Sequence, residues 1–336
     1  MADLPVLQGE PEGCAPGPSV RRAKPPWLRV RAPGGERYTF IKKTLRDRGL
    51  FTVCEEARCP NVGECWAGGT ATFMLLGETC TRGCRFCAVT TGNPGGRVDV
   101  QEPAKLAESV ALLGLKYVIL TMVDRDDLGD GGAGHVADCI ELLKQRQPEL
   151  IIEALAGDFD GQGEAVETLC DTGLEVFAHN LETVEPLQRT VRDARCGYDK
   201  SLAVLELAKR HPLRPFTKSS LMLGLGESDA QVRRSMQDLR SAGVDFLTLG
   251  QYLQPTAKHL DVVDWVTPER FAQLGAFGER IGFSYVASGP LVRSSYRAGE
   301  FFVASLVEAR RVGAPAAVRT GPAERASSED GAWPSC

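Results

Sequence analysis

The stretch ATFMLLGETCTRGCRFC, residues 71–87, carries the reading of this chain. Ala71 to Gly77 is an apolar run of strand length, and the polar, glycine-containing loop behind it sets Cys80, Cys84 and Cys87 in the spacing C-x3-C-x2-C. Downstream, strand-like and helix-like runs alternate. The first strand is followed by a helical pattern at 103–114, KYVILTMV by 135–147, LIIEALA by 163–172 and EVFAHN by 199–210. SLMLGLG with 228–242, DFLTLGQ with 268–281 and a last strand FSYVAS complete the series. Six βα units predict a parallel sheet with right-handed crossovers. The expected architecture is α/β, a partial (β/α)6 TIM-type barrel with room for a seventh strand at 283–287 and one open side.

In such a barrel the ligand sits at the carboxyl edges of the strands, so the loops after each strand are where chemistry belongs. These are TCTRGCRFC, DRDDLGDGG, His179-Asn180 with Glu182, Gly224 to Glu227, and Gln251 to Pro255.

Working outward, residues 1–26 are rich in Pro, Gly and Glu and read as a flexible arm. Residues 27–70 form an N-terminal extension that opens with a basic, partly helical stretch from Arg29 to Arg48; 71–288 is the barrel, 289–312 a C-terminal extension and 313–336 a disordered tail. The 39 Lys and Arg against 44 Asp and Glu give a net charge of −5, which argues against general binding to a nucleic acid backbone. The most apolar stretch, Val110 to Val123, is interrupted by Lys116 and too short to span a bilayer. Residues 1–20 hold Asp3, Glu10 and Glu12 and no basic residue, unlike a secretory signal or an Arg-rich transit peptide, so a cytoplasmic place is expected. Eleven cysteines in a reducing compartment, an odd number, point to metal or redox chemistry rather than a disulfide framework.

Three thiols converge after the first strand. Structural zinc takes four protein ligands in paired knuckles, whereas three thiolates on a four-iron cluster leave one iron open to a small molecule. The competing reading puts Cys80, Cys84 and Cys87 on one helix face as core residues, but Thr79, Thr81 and Gly83 favour a loop. A second triplet, Cys54, Cys59 and Cys65, lies in CEEARCPNVGEC, where acidic neighbours speak against an apolar role; zinc completed by a distant residue such as His179 competes there. GPLVRSSYRAG, residues 289–299, reads by itself as a polar turn. Gly129 to Gly134 match G-x-G-x-x-G, but Asp126, Asp127 and Asp130 would repel a pyrophosphate. Cys139, Cys170 and Cys196 stand alone and read as small buried hydrophobes.

The cysteine spacing, with Phe86 before the last thiol and on the first strand of a six-unit βα chain, resembles the radical S-adenosylmethionine superfamily. That resemblance implies a [4Fe-4S] cluster whose open iron chelates S-adenosylmethionine and whose electron cleaves it to a 5′-deoxyadenosyl radical. Gly224, Gly226 and Glu227 look like the adenine-side motif, since small residues let a flat ring approach the backbone. Asn180 and Glu182 either hydrogen-bond a ribose or belong to a helix-capping loop, and Arg192 or Lys218 either pairs with the methionine carboxylate or faces water.

Together with PPWLR, DRDDLGDGGAGH, HNLETV, GLGE, TLGQYLQPT and RSSY, the two triplets resemble the lipoyl synthase family over roughly residues 27–300. The resemblance implies insertion of two sulfurs at C6 and C8 of a protein-bound octanoyl chain. Cys54, Cys59 and Cys65 would hold an auxiliary [4Fe-4S] cluster, with Ser295 its fourth ligand and a catalytically labile one, because a hard alkoxide binds a sulfur-preferring iron poorly. That cluster would be the consumed sulfur source. Implied partners are octanoylated lipoyl-domain proteins (2-oxoacid dehydrogenase acyltransferases and the glycine cleavage carrier), a ferredoxin or flavodoxin-type electron donor and an iron–sulfur carrier, with no nucleic acid and no membrane. A methylthiolating enzyme of the same superfamily would not need the RSSY serine, and a two-cluster electron carrier would have no use for six βα units.

Overall fold

The computed structural model describes residues 23–30, 34–56, 59, 61–67, 72–295 and 298–311. Helix α1 (Glu36–Asp47), strand β1 (Phe51–Thr52) and the short helices α2 (Val53–Glu56) and α3 (Val62–Ala67) precede the repeating body. Strand β2 (Thr72–Leu75) opens it, and two small strands, β3 (Thr79–Cys80) and β4 (Thr90–Thr91), pair across the loop behind it. Then come α4 (Glu102–Leu113), β5 (Tyr117–Met122), α5 (Ala133–Arg146), β6 (Ile151–Leu155), α6 (Gly163–Asp171), β7 (Val176–Ala178) and α7 (Gln188–Val191). After α8 (Tyr198–Arg210) follow β8 (Phe216–Leu223), α9 (Asp229–Ser241), β9 (Phe246–Gln251), α10 (Pro268–Arg280), β10 (Tyr285–Gly289) and α11 (Ala298–Arg311).

The main sheet has the order β1-β2-β5-β6-β7-β8-β9-β10. From β2 onward every neighbour is parallel, and β1 alone runs antiparallel, setting Phe51 opposite Met74. Among the described residues seven parallel strands alternate with six long helices, and the sheet ends on β1 and β10 without closing, which is the expected partial barrel with its seventh strand present. The strands read as near-continuous apolar runs because they are covered on both faces, as in β2, where all four residues are buried. Helix boundaries follow local chemistry. Ser228 caps α9 in a reciprocal box with Gln231, Thr267 caps α10 ahead of Pro268, and Gly114, at φ 62°, ends α4 in the left-handed region.

Three features depart from the sequence reading. Strand β8 begins at Phe216, upstream of the SLMLGLG run, because its polar residues find partners: Thr217 N donates to Asp245 Oδ2 at 2.8 Å and Lys218 Nζ to Glu153 Oε1 at 2.6 Å. Lys218 is thus a buried ion-pair partner inside the barrel rather than a surface charge. The C-terminal extension contains α11, whose Val303, Leu306 and Val307 pack on Ile151, Val176, Phe216 and Phe246. Those four are the first residues of their strands, so α11 covers the amino-terminal mouth of the barrel and leaves the carboxyl mouth for ligands. The expected arm at 1–26 lies outside the described residues up to 22, while Lys24 reaches the carboxyl-end cavity; the expected tail at 313–336 lies wholly outside them.

Candidate active site

The loop bearing the first triplet starts from a strained residue. Leu76, directly after β2, has φ 67°; its N–H donates to Glu102 Oε2 at 2.9 Å and its carbonyl accepts from Arg125 Nη1 at 3.3 Å. Holding a non-glycine residue there costs of the order of 1–3 kcal/mol, which those two buried charged side chains offset. Gly132, in the G-x-G-x-x-G stretch, provides room, since a Cβ there would lie 2.5 Å from Leu76 Cδ1. That stretch has no free anion site: the Asp130 carboxylate already accepts from Gly132 N and Gly134 N, both at 2.8 Å. The exclusion of a dinucleotide therefore rests on a filled helix terminus.

Beyond Leu76 the chain wraps Cys80, Cys84 and Cys87 around the mouth of a cavity of about 550 Å³. Arg82 N donates to Cys80 Sγ at 3.4 Å, Asp193 N to Cys84 Sγ at 3.3 Å, and His259 Nε2 lies 2.9 Å from the Cys87 carbonyl. Arg82 is the buried hub of the loop: its guanidinium meets Asp126 at 2.7 Å, Asp158 at 2.8 Å and Asp124 at 3.7 Å. Burial and the nearby Asp124 push the Cys80 thiol up to about 11, burial raises Cys87, and a hydrogen bond with Cys196 together with burial raises Cys84. Burial also lifts Asp124 to about 6 against the pull of Arg82.

Of the other expected site residues, Phe86, Asn180, Glu182 and Arg192 line the same cavity. Asn180 Nδ2 donates to Glu182 Oε1 at 3.1 Å, and Glu182 sits at φ 69°, fixed by its N–H to the Ser220 carbonyl at 3.0 Å. Arg192 is buried, with Nη1 on Ser201 Oγ at 2.8 Å and on Gln188 Oε1 at 3.2 Å. Gly224, Gly226 and Glu227 stand apart from the lining. The Glu227 carboxylate accepts from Gly224 N at 2.6 Å and Leu225 N at 2.9 Å. A Cβ on Gly224 would fall 2.2 Å from Gln251 Nε2, so this glycine is required by packing beneath the cavity wall formed by Gln251 and Tyr252.

The second triplet has Cys54 in α2, Cys65 in α3 and Cys59 between them. Cys54 and Cys65 are buried and Cys59 half-buried, with Cys59 N bonded to the Cys54 carbonyl at 3.1 Å. Burial, then the proximity of Cys59, pushes Cys54 up to about 11. Asn61 Nδ2 donates to the Leu291 carbonyl at 2.6 Å, which ties this region to the segment carrying RSSY. Arg293, in the same segment, lines the cavity, donates to the Gln251 carbonyl at 3.0 Å and acts on Cys59 by charge. Gly250 permits that close passage, since a Cβ there would be 2.1 Å from the Val292 carbonyl. Ser294 lines the cavity; Ser295 is half-buried, and Tyr296 lies outside the described residues.

A zinc ion would draw its thiolates to about 3.8 Å from one another, given a 2.3 Å bond and tetrahedral geometry. Among the described residues neither triplet gathers three ligand atoms within 4.8 Å; the group that does is Glu102, His135 and Cys139. The triplets are thus not drawn in around a single ion; each offers three soft sulfur donors, with backbone N–H groups aimed at the sulfurs of Cys80 and Cys84, a donor chemistry that fits iron–sulfur clusters. His179 is committed elsewhere, Nδ1 on the Ala156 carbonyl and Nε2 on Ser201 Oγ, both at 2.9 Å; burial and then Arg192 hold it down at about 4, neutral.

The sequence reading missed Arg82, Asp124, Arg293 and Cys196. Arg82 and Asp124 had a signal, lying in the strand-end loops, and Arg293 had one in opening the RSSY segment, while Cys196 had none. Cys196 is not a lone core thiol: it lines the cavity against Cys84.

Residues 74–239 match the radical SAM superfamily, and residues 16–59 match the N-terminal domain of lipoyl synthase of the radical SAM family. The chain is 54% identical to the lipoyl synthase of Ectopseudomonas mendocina over 88% of its own length and 85% of the relative's. It is 57% identical to the chloroplastic lipoyl synthase of Ricinus communis, covering 87% of this chain and 81% of that one, and 57% identical to the lipoyl synthase of Halorhodospira halophila, covering 88% and 87%. Among solved structures, methylornithine synthase (PylB) superposes with a TM-score of 0.50 at 13% identity, over 82% of this chain and 88% of the other, which shows a shared fold.

Proposed function

The chain belongs to the lipoyl synthase family of the radical S-adenosylmethionine superfamily, and from that membership we propose how its own residues divide the work. The activity is that of a lipoyl synthase, radical insertion of sulfur at C6 and C8 of an octanoyl-lysine, with S-adenosylmethionine and [4Fe-4S] clusters as cofactors. We assign one cluster to Cys80, Cys84 and Cys87 and the auxiliary one to Cys54, Cys59, Cys65 and Ser295, the latter site being carried by the extensions 27–70 and 289–312. When bound, the first supplies the electron that cleaves S-adenosylmethionine and the second supplies sulfur.

The observation that carries this division is the placement of residues 291–294. Leu291 is bonded to Asn61 inside the second triplet, while Arg293 and Ser294 form wall of the cavity onto which the first triplet opens. One short segment therefore borders both thiol sets and links the second triplet, which is not itself part of the cavity lining, to the cavity wall, which supports a short path for sulfur between them. Around that cavity the N–H groups of Arg82 and Asp193 hold the Cys80 and Cys84 sulfurs in place. Asn180, Glu182 and Arg192 present a fixed amide, carboxyl and guanidinium for the ribose and carboxylate of S-adenosylmethionine, and their ordering before ligand arrives lowers the entropic cost of binding. Leu155, Met222, Tyr252 and Val292 give the cavity apolar surface for an alkyl chain and keep water from a carbon radical. Ser295 is the exchangeable ligand, its alkoxide being a poor match for sulfur-preferring iron.

The substrate partner is a lipoyl-domain protein. Within that class we propose the octanoylated 2-oxoacid dehydrogenase acyltransferases and the glycine cleavage carrier, with a ferredoxin or flavodoxin-type donor and an iron–sulfur carrier to rebuild the auxiliary site. No described helix is long and apolar enough to cross a membrane. A reducing compartment, the cytoplasm by our reading, suits a chain whose thiols must remain available. The deciding experiment incubates the anaerobically reconstituted protein with an octanoyl-lysine peptide, reductant and S-adenosylmethionine. Mass spectrometry should find the dithiolated peptide together with 5′-deoxyadenosine, and 5′-deoxyadenosine without sulfur in the peptide would refute the assignment.

A further inference from the structure

Cys196 opens a question that the cluster assignment leaves unanswered. It lies in the turn before α8 and lines the same cavity as Cys84, a residue 112 positions earlier that the same turn contacts through Asp193. The two loops are clamped together by Asp193. Its N–H donates to Cys84 Sγ at 3.3 Å, its carbonyl accepts from Cys196 N at 3.0 Å, and its carboxylate accepts from Gly83 N at 2.8 Å. Arg82 Nη1 approaches Cys196 Sγ from the other side at 3.6 Å. Cys80 and Cys87 are held differently, by the Arg82 N–H on the Cys80 sulfur and by His259 on the Cys87 carbonyl. Three thiols suffice for the cluster, so Cys196 is a fourth, positioned thiol with no place in the ligand set.

We propose that Cys196 is the resolving partner of Cys84: in the chain without its cluster, exchange with a small-molecule disulfide such as oxidised glutathione joins Cys84 and Cys196 in a reversible disulfide. One of the two thiols attacks glutathione disulfide and forms a mixed disulfide, releasing the first glutathione. The second thiol then attacks the protein sulfur of that mixed disulfide, breaks its bond to glutathione and releases the second. Two protein thiols are oxidised, one disulfide is reduced, and the two protons leave on two glutathione thiols. A disulfide needs a sulfur–sulfur distance of about 2.0 Å, and Asp193 already ties together the two loops that would close to reach it. The gain is chemical: a thiol held as a disulfide is recovered by a reductant, whereas one oxidised past sulfenic acid is not. Cys84 would thereby be stored and returned when the cluster is rebuilt.

This inference rests on Cys84 being a cluster ligand, but its test does not need the cluster. Arg82 and Arg85 flank Cys84, and Arg195 and Lys200 flank Cys196, so trypsin isolates each thiol from Cys80 and Cys87. The full-length chain, freed of iron by chelator under reductant, is exposed anaerobically to graded ratios of oxidised to reduced glutathione, alkylated, digested and weighed. The expected product is Gly83–Arg85 joined to Cys196–Lys200, abolished by dithiothreitol and missing in Cys196→Ala, whose Cys84 instead carries glutathione. After reconstitution Cys196→Ala should keep the wild-type iron content. The proposal is overturned if Cys84 links only to Cys80 or Cys87, if Cys196 stays fully alkylated where Cys84 is oxidised, or if Cys196→Ala loses the iron of one cluster, which would make Cys196 a ligand. Failure of the wild-type protein to take up iron would count against the cluster assignment, and peptide mass reads the disulfide separately.

Discussion

Replacing Arg82 by Met tests whether the first cysteine loop is held by charge. The substitution keeps the apolar stem and removes a guanidinium that meets Asp126 at 2.7 Å, Asp158 at 2.8 Å and Asp124 at 3.7 Å. The Arg82 side chain is 1% exposed and that of Asp158 fully buried, and Asp158 Oδ2 already has no hydrogen-bond partner among the described residues. Breaking a buried pair by deleting one member costs about 3–5 kcal/mol, because the surviving charge is stranded. At about 2 °C or more per kcal/mol, the scale of domains of ~150–250 residues, the reconstituted Arg82→Met protein should melt at least ~6 °C below wild type. Adding Asp158→Asn removes the stranded charge and should restore part of the loss, which a double-mutant cycle reads as a coupling of the order of 1–3 kcal/mol. Iron content should fall in parallel, since the same loop carries Cys80 and Cys84. A single mutant that melts within 1 °C of wild type, or strict additivity in the cycle, would show that the aspartates are solvated well enough to manage without Arg82.

Changing Cys54, Cys59 and Cys65 to Ala should leave S-adenosylmethionine cleavage in place and abolish thiolated product, while Ser295→Ala should lower sulfur insertion more than 5′-deoxyadenosine formation; normal lipoyl formation by the triple variant would overturn the sulfur-donor assignment. His179 is held near 4 by burial, below its ordinary 6.5, so it contributes stability in full above pH 6.5 and loses it as pH falls toward 4, by about 3 kcal/mol in all. His179→Asn should flatten that part of the pH dependence in urea unfolding, and an unchanged slope between pH 7 and 5 would show that other groups carry it. The basic stretch from Arg29 to Arg48 is a candidate for steering an acidic lipoyl domain; Lys42 and Arg46 pair with Glu55 at 3.5 and 3.3 Å, whereas Lys43 is exposed and is the charge to test. Lys43→Glu should reduce kcat/KM about 2–5-fold on the carrier protein at low salt and leave a short octanoyl peptide unaffected; equal effects on both substrates would refute steering.

The sequence by itself determined the elements whose causes are local. Apolar runs and helical periods placed the six crossover helices to within about two residues, since a helix turned toward a sheet must show its apolar stripe every turn. Both cysteine triplets were legible as candidates for a related reason, since three thiols recurring at short spacing within one stretch are visible without any tertiary contact. What escaped depends on distant partners. The first half of β8 looks too polar for a buried strand until Asp245 and Glu153 satisfy Thr217 and Lys218. Helix α11 shows its purpose only against the strand starts it covers. The demand for glycine at 224 comes from Gln251, Arg293 gains its place from a segment lying over β9, and Cys196 comes near Cys84 only because the loops after β2 and β7 converge at the carboxyl mouth, where Asp193 joins them. Periodicity and spacing report on a chain's relation to its own neighbours. Buried charge, close backbone approach and the meeting of distant loops are settled between residues from about thirty to over a hundred positions apart, and only the folded barrel decides them.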